Sequence, residues 1–148
     1  MRIRQTAYID RSASEVFAFL ADRANDPLWR AELEAHSYID GPAEGAGARV
    51  RQVVSYQGRS AEFTLEVTDL VPENRICFRA HGGARAHGCC DLVADGPGTG
   101  LTVSITVELK GEQLMLERYL RQALEGTVAD DLGRLKDALK GARGPVAS

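Results

Sequence analysis

A chain of 148 residues fits one domain and leaves little room for two, and its 44% apolar content allows a sizeable core. The formal net charge is −3 and the 18 Lys and Arg residues are scattered, which argues against a nucleic-acid binder with its basic stripe. No segment approaches the roughly eighteen apolar residues that span a bilayer, and MRIRQTAYID holds no secretion signal, so a cytoplasmic protein without membrane insertion is expected.

Residues 2–9 alternate apolar and polar, the pattern of a half-buried strand. Ser12-Ala13-Ser14-Glu15 reads as a capping box opening a helix that carries Val16, Phe17, Phe19 and Leu20 and ends near Ala24. Asn25-Asp26-Pro27 starts a second, short helix holding Leu28 and the single Trp, Trp29. A weak strand signal covers 33–40, and Gly41 to Gly47 is a turn by composition.

Residues 48–57 and 60–70 form a hairpin across Gly58-Arg59, and Ala61, Phe63, Leu65 and Val67 give the cleanest period-two signal in the chain. Val71-Pro72-Glu73-Asn74 breaks that strand, because proline cannot donate to a ladder. Residues 75–81 and 86–95 suggest a second hairpin across Gly82-Gly83, and 96–100 is a further turn before the strand 101–110. From Glu112 to Lys140 the period becomes helical. Leu116, Leu120, Leu124, Val128, Leu132, Leu135 and Leu139 make one stripe. A helix of this length spans about 40 Å, the width of the domain. Gly141 is its expected stop, with 142–148 a disordered tail after a single domain of residues 1–141.

The fold class is therefore α+β. A curved antiparallel sheet of about six to seven strands wraps the long C-terminal helix, with two short helices after the first strand.

The order and its landmarks resemble the START-like, helix-grip superfamily, in particular its bacterial polyketide cyclase/dehydrase branch. The residues carrying the resemblance are Ser12-Ala13-Ser14-Glu15-Val16-Phe17, Asp26-Pro27-Leu28-Trp29 and Gly45-Ala46-Gly47. To these are added Glu66-Val67, Val71-Pro72-Glu73-Asn74-Arg75 and Gly98-Thr99-Gly100-Leu101-Thr102-Val103. The resemblance runs from Arg2 to about Gly141 and implies a cavity for a lipid- or polyketide-like molecule between sheet and helix. It carries no shared catalytic motif, so no catalytic residue is assigned.

Strand parity points Val50, Gln52, Val54, Tyr56, Phe63, Leu65, Ile76, Phe78, Val103 and Ile105 inward, and the helix adds Met115, Tyr119, Ala123 and Gly126 beside its leucine stripe. These residues read either as the wall of an apolar pocket with Gln52, Tyr56 and Tyr119 as polar tips, or as plain core. Trp29 either caps the pocket mouth or anchors the short helix. His81 and His87 flank a turn and are expected to be exposed, while His36 lies in the weakest strand. Asp130, Asp131, Arg134, Lys136, Asp137 and Lys140 are expected on the solvated side of the last helix.

Cys77, Cys89 and Cys90 are expected as free thiols, without a metal, since adjacent Cys89 and Cys90 point to opposite faces of a strand. Pairing Phe78 with Cys90 and Ile76 with Leu92 would bury Cys90, whereas a one-residue slip would reverse every face.

The expected function is the binding of a small hydrophobic ligand, with no cofactor and a homodimer open as an alternative assembly. Two rivals remain: a polyketide cyclase, aromatase or dehydrase, and a protein-interaction module.

Overall fold

The computed structural model describes residues 1–42, 45–56 and 58–143, and the side chains of all of these except 56 and 141–143. The alternating segments fold as β1 (Arg2–Ile9), β2 (Leu33–Asp40), β3 (Arg49–Tyr56), β4 (Arg59–Val71), β5 (Arg75–Gly82), β6 (Arg85–Asp95) and β7 (Gly98–Glu108). They form one seven-stranded curved antiparallel sheet in the order β1-β7-β6-β5-β4-β3-β2. Strands β2 to β7 meander, and β1 returns beside β7, so the first and last strands are neighbours.

The helices are α1 (Ala13–Ala21), α2 (Asp26–Trp29) and α3 (Glu117–Arg143). Ser12 caps α1 by accepting from the Glu15 backbone N–H at 3.2 Å. The Glu15 carboxylate accepts from the Ser12 hydroxyl at 3.1 Å, in place of the Ser12 backbone N–H that a full capping box would use. Helix α1 stops at Ala21, short of the expected Ala24, because Asp22 captures the Ala24 N–H at 3.1 Å and starts a separate 3-10 turn over Arg23–Asn25. Asn25 does not cap α2 with its side chain; its amide donates to the Phe19 carbonyl at 3.0 Å and ties the two helices together.

Two further boundaries differ from expectation. Strand β7 begins at Gly98 instead of Leu101, since Gly96, with φ 56°, and Pro97 complete the turn and Gly98 pairs with Asp95. The helical segment after β7 opens as a 3-10 stretch, Gly111–Leu116, and α3 continues past the expected stop at Gly141 to Arg143. Residues 144–148 of the expected tail lie outside the described residues.

The β5–β6 hairpin differs from the expected pairing by two residues. Ile76 stands opposite Cys90, Phe78 opposite Gly88, and Cys77 opposite Cys89. An even shift keeps every face, so Cys90 is buried as expected. Gly88 accommodates the new partner: a Cβ there would lie 2.9 Å from Phe78 Cζ and 2.3 Å from the Ser104 carbonyl oxygen. The register also corrects the free-thiol expectation for two of the three cysteines. Cys77 and Cys89, directly opposite on the convex face, form a disulfide.

The core lies where α1 and the C-terminal half of α3 meet the sheet. Val16, Leu20, Ile76, Leu101 and Leu135 are each 1% exposed or less. Burying a side chain of this size contributes about 2 kcal/mol. Thr99, fully buried, donates its hydroxyl to the Arg11 carbonyl at 2.8 Å and pins the start of β7 to the β1–α1 turn.

Candidate functional site

The leucine stripe of α3 is sealed along only part of its length. Val128, Leu132, Leu135 and Leu139 are buried, whereas Leu120, Ala123 and Leu124 are half-buried and Leu116 is 53% exposed. The sheet shows the same division. Val50, Leu65, Val67 and Val103 are buried, while Val54, Phe63, Phe78, Ile105 and Val107, toward the other end of their strands, are half-buried. A continuous apolar surface therefore runs from a closed core into an open end. A depression of about 790 Å³ lies at that end of β5, β6 and β7, bordered by Ala80, Ala86, Val107, Leu109 and Leu114 together with Arg79, Arg85 and His81.

A polar cluster is built where α2 faces β2 and β3. Gln52, 2% exposed, donates from Nε2 to Asp26 Oδ2 at 3.0 Å, and the same nitrogen lies 3.3 Å from His36 Nδ1. Its carbonyl oxygen accepts from Arg30 Nη1 at 2.7 Å. Asp26, 1% exposed, is also 3.5 Å from Arg23 Nη1, and Arg23 donates to the Leu20 carbonyl. Desolvation lowers the His36 pKa below its usual 6.5; the Asp26 carboxylate opposes that shift, and Arg23 and Arg30 add to it. The lowered pKa favours the uncharged ring. With the Gln52 amide donating to Nδ1, the proton of His36 sits on Nε2. Asp26 Oδ1 and Trp29 Nε1 are buried with no hydrogen-bond partner among the described residues.

A second polar contact latches α3 to the segment after α2. Asp131, 7% exposed, accepts from the Ala31 backbone N–H and from Arg134 Nη1 at 3.0 Å. Thr127 donates to Glu32 Oε1 at 3.3 Å. Burial pushes the Asp131 carboxyl up to about 6, with Arg30 and Arg134 pulling against it. This corrects the reading of the Asp130–Lys140 cluster as wholly solvated: Asp130 is exposed, but Asp131 is part of the packing.

A sheet closed at one end on a long helix and left open at the other is one observation; the sequence match is the second. The family described as polyketide cyclase/dehydrase and lipid transport matches residues 1–140. The chain belongs to that family.

Solved structures of similar fold include a protein of Thermus thermophilus, with a TM-score of 0.83 at 22% identity over 96% of this chain and 99% of the other. A START superfamily protein from Mycobacterium smegmatis gives 0.79 at 18% identity, covering 95% and 98%. The Zhui aromatase/cyclase from Streptomyces sp. R1128 gives 0.80 at 19% identity, covering 100% and 98%. Identities this low speak for the fold alone. No curated protein matches the sequence.

In this member of the polyketide cyclase/dehydrase and lipid transport family, the structure brings Val54, Phe63, Phe78, Ile105 and Ala123 to half-buried positions around the open end, while Leu65 and Val103 belong to the sealed part. Gln52 was expected as a free polar tip, but its amide is fully engaged by Asp26, His36 and Arg30. Trp29 is 8% exposed and packs in the core cluster, which favours the anchoring role over the mouth. Met115 is 88% exposed and Tyr119 55%, so both stand on the solvent side of the rim. Gly126 is exposed, and nothing lies within 4 Å of the Cβ it lacks. The side chain of Tyr56 lies outside the described residues.

His81 and His87 are exposed, as expected. Sequence reasoning missed Asp26, Arg23 and Arg30 as members of the polar cluster. The available signal was three charged residues crowded in sequence around the chain's one Trp, within and on either side of a helix too short to be amphipathic. Among the described residues, no helix is long and apolar enough to cross a membrane.

Proposed function

We propose that this protein binds a small hydrophobic molecule, lipid- or polyketide-like, between the open half of the concave sheet and the N-terminal half of α3. The observation that carries this reading is the unequal sealing of one apolar stripe: Leu135 is fully buried while Leu120 and Leu124, on the same helical face, are half open. A helix stripe left partly uncovered opposite half-buried Phe63, Phe78 and Ile105 costs free energy in water, and a hydrophobic ligand recovers it. The proposed wall is Val54, Phe63, Phe78, Ile105 and Ala123, with Met115 and Tyr119 at the rim and Leu65 and Val103 beneath it. The family match and the fold similarity to a START superfamily protein support the reading.

The test is native mass spectrometry of the protein purified from its own host, followed by titration with a panel of fatty acids and aromatic polyketides. Retained or saturable apolar ligand supports the proposal. An empty protein that also ignores the whole panel rejects it and leaves the interaction-module reading.

A second reading, catalysis of a cyclisation or dehydration, is favoured by one observation. His36 is half-buried with burial favouring its uncharged form, and it shares the Gln52 amide with the Arg30 guanidinium. Together they are donors suited to a developing oxyanion. Turnover of a bound polyketide that disappears in His36→Gln while binding persists distinguishes this reading from binding alone.

A further inference from the structure

We propose that the Cys77–Cys89 disulfide is a thiol-exchange site on the convex face, matched to low-molecular-weight thiols that carry a carboxylate. The two sulfurs belong to residues directly opposite in adjacent strands, on the face turned away from α3. They differ in access. Cys77 is 8% exposed, whereas Cys89 is half-buried and borders an open groove of about 390 Å³. An incoming thiolate therefore reaches the Cys89 sulfur first.

The groove is cationic. Arg2, Arg4 and Arg75 border it against a single carboxylate, Asp91, which lies 2.6 Å from Arg75 Nε and is matched by it. Among the described residues no ion pair engages Arg2 or Arg4. Arg4 faces Ser104, and Ser104 faces Cys89, so the Arg4 backbone stands two strand spacings from that of Cys89, about 10 Å. That separation is about one Debye length at 0.1 M salt, so the attraction for an anionic thiol is felt at low salt and lost at high.

The step balances without any further reactant. The thiolate of the small molecule forms a bond to Cys89 Sγ, the Cys77–Cys89 bond breaks, and its electron pair leaves on Cys77 Sγ as a thiolate. A second thiol then attacks the small-molecule sulfur of the mixed disulfide and releases Cys89 as a thiolate. Two small thiols are oxidised to their disulfide, and the protein disulfide is reduced to two thiols. Cys90, buried on the opposite face, takes no part. The site shares no residue with the proposed ligand wall, so the two proposals stand or fall separately.

The oxidised full-length protein is incubated with glutathione, an anionic thiol, and with cysteamine, a cationic one, and the opening rates are compared per thiolate. Glutathione is expected to be faster by about five-fold at low ionic strength. The advantage is expected to vanish in about 0.5 M salt and in the Arg2→Gln/Arg4→Gln variant, with the first mixed disulfide mapped to Cys89. The salt arm needs no variant, so a folding defect in the double substitution does not shelter the idea. Equal rates for the two thiols, an adduct on Cys77, a preference that survives both salt and substitution, or cysteines that stay reduced in air-saturated buffer would each overturn it.

Discussion

Gln52 Nε2 donates to Asp26 Oδ2 at 3.0 Å, a contact between the middle of β3 and the first turn of α2 in which both side chains are no more than 2% exposed. The amide is a hub. It donates to one oxygen of a buried carboxyl group, turns His36 into its Nε2–H form and gives Arg30 an acceptor.

Replacing that hub with an apolar isostere, Gln52→Leu, leaves the buried Asp26 side chain beside Arg23 with one fewer donor and strands Arg30. The expected loss is about 2–4 kcal/mol, read as a lower midpoint in urea unfolding at an unchanged slope. A loss below about 0.5 kcal/mol would mean that water reaches the cluster and replaces the amide.

Asp131 makes stability depend on pH in a definite direction. Its folded pKa of about 6 lies above the unfolded value of 3.8, so the native state holds the proton more tightly. The group therefore contributes stability that is fully present below about pH 4 and is lost as pH rises through 6. Relative to Asp131→Asn, the wild type is expected to gain about 1–2 kcal/mol on going from pH 7 to pH 4. This is less than the full conversion, because the partner Arg134 is 45% exposed and screened by water. His36 acts in the opposite sense: its lowered pKa supplies stability above 6.5 that fades on acidification. Subtracting the Asp131→Asn profile from the wild-type profile isolates the carboxylate, and a flat difference would refute the assignment.

The three cysteines are expected to titrate in distinct steps. Burial pushes the Cys90 thiol up to about 11, and Cys77 and Cys89 are bonded to each other. A thiol reagent at pH 8 should find almost nothing in the native protein, one thiol after denaturation and three after reduction. Rapid native labelling of Cys90 would contradict its place on the concave face.

The two halves of α3 should respond differently to substitution. Leu135→Ala, at a fully buried position, is expected to cost about 2–5 kcal/mol through lost contacts and a cavity. Ala123→Trp, at a half-buried position on the proposed wall, should leave the melting temperature within a few degrees and weaken binding of an apolar probe at least about ten-fold. A large stability loss at Ala123 with no effect on binding would turn the open end into ordinary core.

Much of the architecture was legible because it is encoded in local periodicity. Ala61, Phe63, Leu65 and Val67 alternate in β4, and the α3 stripe repeats at threes and fours. Each pattern specifies its own backbone whatever packs against it. The Ser12 cap and the break at Pro72 are equally local. Helix ends were less legible: the Asp22 side chain ends α1 early, and nothing in the apolar pattern reports that competition.

The rest depended on which distant segments meet. Sequence alone established an antiparallel sheet on a long helix and the alternation of faces along its strands, since these follow from periods of 2 and 3.6, while the burial of Cys90 waited on the hairpin register. Tertiary structure decided the Cys77–Cys89 bond, because a hairpin shifted by two residues keeps every face yet changes every partner. It also decided the bond joining residues 26 and 52, the latch of Asp131 on Ala31, and where the α3 stripe passes from sealed to open. Hydrogen bonds and burial are properties of pairs of surfaces, and one strand's alternation carries no record of the surface it will face.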